Sequence, residues 1–184
     1  MKILSILIIS LISFSIQAQE WFDKSCKNID DSFIVETFNT TQPRNILKVI
    51  VNQAGVLELN GEERQNMSEI ALKEWVLEFI TNPNNDKKKA EKPENVFVQL
   101  KSFNNDAKTL NSLKSYIQDV YLYLWDKHAE EKYSSTYIDL NCKKRAKIFS
   151  DFPLFFVTDL EKNKLNKKRF GVGVPTFGGD VIDN

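Results

Sequence analysis

From residue 46 onward, the apolar positions of this chain switch between a period of two and a period of three to four. Ile46 to Val51 is rich in β-branched residues and predicts a buried strand. Gln53-Ala54-Gly55 reads as a turn, Val56 to Leu59 as a second strand, and Asn60-Gly61 as the turn that closes it, so the segment predicts a β-hairpin. The period then lengthens. Ile70, Leu72, Trp75, Val76, Phe79 and Ile80 gather on one face of a helix that Asn66 can cap, with Glu69 completing a capping box. Asn82-Pro83-Asn84-Asn85 stops that helix. Val96 to Phe103 returns to alternation and predicts a third strand.

The longest helix is expected from Thr109 to about Lys132, with Leu110, Leu113, Ile117, Val120, Tyr121, Leu124 and His128 in one stripe. Burying six or seven such side chains contributes on the order of 10–15 kcal/mol before entropy is counted. A stripe of this kind also suits a coiled-coil seam, but it is short of four heptads and has no regular e/g charges, so packing on a sheet is the expectation. Residues 139–149, with Lys143, Lys144, Arg145 and Lys147, predict a short basic helix, and Leu154 to Val157 a last short strand. The fold class expected is α+β: a small sheet built from hairpin, helix, strand, long helix and short strand, with two helices packed on one face. Residues 19–45 read as an N-terminal arm with one short strand at Phe33–Phe38, 46–161 as the α+β domain, and 162–184, with Gly171, Gly173, Gly178 and Gly179, as a flexible tail.

The first eighteen residues have another character. After Lys2, an apolar run of 14 residues reaches from Ile3 to Ile16. As a helix it spans roughly 21 Å, against ~30 Å of hydrocarbon. Small Ala18 follows, so residues 1–18 read as a signal peptide cut between Ala18 and Gln19. The alternative is an uncleaved inner-membrane anchor. An exported, periplasmic chain permits its two cysteines, Cys26 and Cys142, to form a disulfide; two free thiols are the competing reading.

Charge and motifs narrow the function. With 25 basic and 25 acidic residues the net charge is zero, which gives no global pull toward nucleic acid. The triplet Lys87-Lys88-Lys89 is expected in a solvated loop. The one histidine, His128, sits on the apolar stripe and reads as a packed side chain rather than a catalytic one. No Cys-x-x-Cys, His-Glu-x-x-His or Gly-x-Ser-x-Gly is present. The glycines from Gly171 to Gly179 leave no room for the helix that a phosphate-cradling loop requires. The carboxylate pairs Glu62-Glu63 and Glu130-Glu131 lie in polar surroundings, without the desolvation that acid–base work needs. The expectation is a chain with no cofactor and no enzymatic activity.

The hairpin Val49-Ile50-Val51-Asn52-Gln53-Ala54-Gly55-Val56-Leu57-Glu58-Leu59-Asn60-Gly61-Glu62 resembles the first hairpin of the ExbD/TolR biopolymer-transport family. Phe79 to Asn85 is similar to the helix end of the longer, Bacteroidetes-type members. Val98 to Lys101, Thr109 and the stretch from Asp119 to Tyr133 resemble their third strand and long helix, and Phe152 to Glu161 their closing strand. The resemblance covers roughly residues 46–161 and implies a periplasmic, often dimeric interaction domain. It implies partners of TonB or Tol type or peptidoglycan, and a place beside the machinery of envelope transport or TonB-type energy transduction. The family's membrane-buried aspartate has no counterpart in Ile3–Ile16, so proton coupling does not carry over. Two alternatives stand beside this: a membrane-anchored subunit of the same type, and a secreted small-ligand-binding protein or enzyme on the same scaffold.

Overall fold

The computed structural model describes residues 31–103 and 106–158. A five-stranded mixed sheet has the order β3-β2-β1-β4-β5, with β1 Ile46–Val51, β2 Leu57–Leu59, β3 Glu62–Arg64, β4 Phe97–Ser102 and β5 Phe156–Thr158. The first three strands form an antiparallel meander; β4 pairs parallel with β1, and β5 parallel with β4. Parallel neighbours need crossovers. The hairpin's end and α2 (Glu69–Thr81) supply the first, and α3 (Ala107–Tyr133) with α4 (Cys142–Asp151) the second. The fold is α+β, as the pattern of periods implies.

Alternation along β1 assigns the two faces. Leu47, Val49 and Val51 are buried, and their registered neighbours Leu59, Val98 and Leu100 share that face. Onto it α2 lays Leu72, Val76, Phe79 and Ile80, and α3 lays Leu113, Ile117, Val120, Tyr121 and Leu124, all in one core cluster. Trp125 extends the cluster toward α4: its indole N–H donates to the Phe152 carbonyl at 2.8 Å, and it stacks on Tyr137 at 4.9 Å. Tyr121 is fully buried, and its hydroxyl has no hydrogen-bond partner.

The opposite face carries a second, smaller cluster of Phe38, Phe97 and Val157, with Ile34 and Ile46 against it. Here the structure corrects the sequence reading. Phe33–Phe38 is not a strand but part of helix α1, Asp31–Thr40, and residues 31–45 belong to the fold rather than to an arm. Ile34 and Phe38 are four apart, which puts them on one side of a helix; Phe38 meets Phe97 edge-on at 5.9 Å. Helices therefore cover both faces, with α2 and α3 on one and α1 on part of the other.

Smaller corrections follow the same logic. The cap of α2 is Ser68, whose hydroxyl accepts from Ala71 N at 3.2 Å, while Asn66 stands in a left-handed turn at φ 55°. The α3 helix begins two residues before Thr109, capped by Asp106. The basic helix runs Cys142–Asp151, the third strand is Phe97–Ser102, and the last strand is Phe156–Thr158. Glu62-Glu63-Arg64 forms β3, an edge strand with no apolar residue to announce it.

Candidate functional site

Of the residues that the sequence nominates, Ala18, Gln19 and Cys26 lie outside the described residues, as do the segments 1–18 and 162–184 and the glycines from Gly171 to Gly179. Cys142 opens α4 on the surface and is disulfide-bonded, not a free thiol. His128 is half-buried, with its ring edge-on to Phe152 at 4.7 Å. Its nitrogens lie 3.7 Å from Glu131 and 3.9 Å from Asp151, and Asp151 is already held by Lys132 Nζ at 2.6 Å. This is a packed imidazole at the rim of a charged surface network. Glu62 pairs with Arg64, Glu63 accepts from Asn52 Nδ2 at 3.3 Å, and Glu130 and Glu131 are exposed at the end of α3. Among the described residues, no group of three or more His, Cys, Asp or Glu could hold a metal ion, and no helix is long and apolar enough to cross a membrane.

The two edges of the sheet differ in chemistry. β3 ends one side with Glu62, Glu63 and Arg64, the charged composition that discourages pairing. β5 ends the other with Phe156-Val157-Thr158, and among the described residues no strand lies beyond it. Val98 N–H donates to the Phe155 carbonyl at 2.9 Å. Backbone groups along a strand alternate in direction, so those of Phe156 and Thr158 point outward. They offer hydrogen bonds to an added strand.

Beside this edge lies an open cavity of about 450 Å3. Phe97, Phe149 and Phe155 form its aromatic wall, Phe97 stacked on Phe155 at 5.1 Å and Phe149 edge-on to Phe155 at 5.9 Å. Across from them α1 contributes Phe33, 55% exposed, and Thr37. Glu91 and Glu94 stand at the rim, Glu94 with Lys92 Nζ 3.7 Å away and Glu91 in no ion pair among the described residues. The Glu91 backbone is fixed from below by buried Asn45, whose Oδ1 accepts from Glu91 N at 2.8 Å. Sequence reading missed this place because it turns on α1. The available signal was the four-residue spacing of Phe33, Thr37 and Thr41 on one side and of Ile34 and Phe38 on the other. Comparison with protein-family models, curated proteins and solved structures finds no match to this chain.

Proposed function

We propose that the chain is an exported, non-enzymatic interaction domain of the ExbD/TolR kind, accessory to envelope transport or TonB-type energy transduction. It binds an extended segment of an envelope partner by adding that segment to β5. The observation that carries this reading is the outward-facing backbone of Phe156 and Thr158 on an apolar edge, opposite an edge blunted by charge. The neighbouring aromatic wall gives alternate side chains of the added strand a place to pack, and Glu91 and Glu94 favour a basic residue among them. The second ground is the resemblance of residues 46–161 to that family; in the fold, β3 and α4 are inserted into the hairpin, helix, strand, long helix, strand order that it implies.

The test uses the chain beginning at Gln19 as bait against solubilised cell envelope, read for TonB-like proteins and for peptidoglycan. Thr158→Pro is the paired variant, because it deletes an outward donor and leaves the ladder to β4 intact. Retention of a TonB-like protein by the parent and its loss in the variant is the expected result. Recovery of neither partner class, or equal recovery by both chains, sinks the reading. Mass spectrometry of the mature N-terminus tests export separately, with Gln19 expected as the first residue.

A further inference from the structure

Segments far apart in sequence bring five cations to one opening on another part of the molecule. Arg44 stands before β1, Lys48 within it, Arg64 at the end of β3, and Lys88 and Lys89 in the loop after α2. They line a cavity of about 640 Å3 together with two carboxylates, Glu62 and Asp86. Part of that charge is already met: Lys89 Nζ reaches Glu78 at 2.5 Å, and Arg64 Nη2 reaches Glu62 at 2.6 Å.

The rest is not. Lys48 and Lys88 enter no ion pair among the described residues. Arg44 is held in place by neutral acceptors: its Nε donates to the Lys89 carbonyl at 3.1 Å and its Nη2 to the Asp86 carbonyl at 3.3 Å. Those bonds order the guanidinium without neutralising it. Arg64 Nε is buried with no hydrogen-bond partner, while its Nη2 is held by Glu62. Trp75, stacked on Phe79 at 5.7 Å, supplies an aromatic surface in the same cavity.

We propose that this cavity binds a phosphate monoester or pyrophosphate group, with its carrier resting on Trp75. Among the described residues, Arg44, Lys48 and Lys88 outnumber the one unpaired lining carboxylate, Asp86, by two charges, and a carboxylate ligand would bring only one. A phosphate monoester brings about −1.5 to −2 and three acceptor oxygens, which suit a fixed guanidinium fork flanked by two mobile ammonium groups. This site is separate from the β5 edge and does not depend on how that edge is used.

The experiment titrates the chain from Gln19 with inorganic pyrophosphate, following heat and tryptophan fluorescence, at two salt concentrations. Lys88→Ala removes an exposed loop cation without touching the core, Lys48→Glu/Lys88→Glu reverses two charges, and Lys127→Glu on the exposed side of α3 is the control. Saturable binding is expected, weaker at higher salt, lowered at least about tenfold in the double variant, lowered less in Lys88→Ala, and unchanged in Lys127→Glu. A second arm measures co-sedimentation with phosphatidylcholine vesicles, with and without phosphatidic acid. Binding to pyrophosphate alone identifies a soluble phosphorylated compound. Retention on phosphatidic acid vesicles that pyrophosphate reverses identifies a lipid headgroup. No saturable binding in either arm overturns the proposal, and so does an affinity that Lys48→Glu/Lys88→Glu leaves unchanged.

Discussion

At the scale of single residues, two buried polar side chains have opposite standing. Asn82 caps α2 in the left-handed conformation at φ 40°, and its amide closes the following loop. Nδ2 donates to the carbonyls of Asp86 and Ala90 at 3.0 and 2.8 Å, and Oδ1 accepts from Asp86 N at 2.8 Å. Because that loop presents the carbonyls that hold Arg44, Asn82 also orders the basic cavity at one remove. Asn82→Ala is expected to lower stability by about 2–3 kcal/mol in urea unfolding and to weaken pyrophosphate binding. Tyr121 is the reverse case, a buried hydroxyl that bonds to nothing. Burial pushes its phenol far above the usual range, whereas the unfolded chain ionises it near pH 10.0. A raised folded value means the associated stability is present below pH 10 and is lost as pH rises past it. Tyr121→Phe is therefore expected to leave stability equal or raise it by about 1 kcal/mol at neutral pH, and to flatten its fall above pH 10. Thermal melts at pH 7 and pH 11 check both. The sequence placed Tyr121 on the right stripe but held no sign of its unpaired oxygen, since that depends on which neighbours close over it.

Elements were readable where one period ran long enough. Strands β1 and β4 and helices α2 and α3 follow directly from Ile46–Val51, Val98–Leu100 and the two apolar stripes. The misreading at α1 has a physical cause. Phe33, Ile34 and Val35 favour strand intrinsically, and only contact with Phe97 and Val157 selects the helical spacing of Ile34 and Phe38. β3 was invisible for a different reason: its pairing with β2 rests on backbone bonds, and it has no apolar side chain, with Glu62 and Glu63 in solvent. The candidate docking edge was readable only as a short strand, because its position outermost in the sheet is a property of topology. The disulfide at Cys142 belongs to this scale too. The unreduced, denatured chain is expected to show no titratable thiol and Cys26→Ser one, with the variant about 3 kcal/mol less stable. Thiol counting and urea unfolding check this; one free thiol per cysteine in the parent chain refutes the pairing of Cys26 with Cys142.

For the molecule as a whole, the two proposed uses fall on two separate regions. The β5 side, with its aromatic wall and acidic rim, suits an extended, partly basic segment. The opening between the start of β1 and the loop after α2 suits a small anion. Neither could be named from the sequence, since each joins residues 40 or more positions apart: Phe33 with Phe155, and Arg44 with Lys88. The sheet's unlike borders also govern how copies of the chain can meet. A border of Glu62, Glu63 and Arg64 is charged throughout, which discourages pairing, whereas the Phe156-Val157-Thr158 border can join an identical one about a two-fold axis. Among the described residues the sheet has no second border of that kind, so a pair joined there is expected to leave sheet extension without a next step. Sedimentation velocity across a hundredfold concentration range is expected to show monomer giving way to dimer and nothing larger, with the dimer abolished by Thr158→Pro.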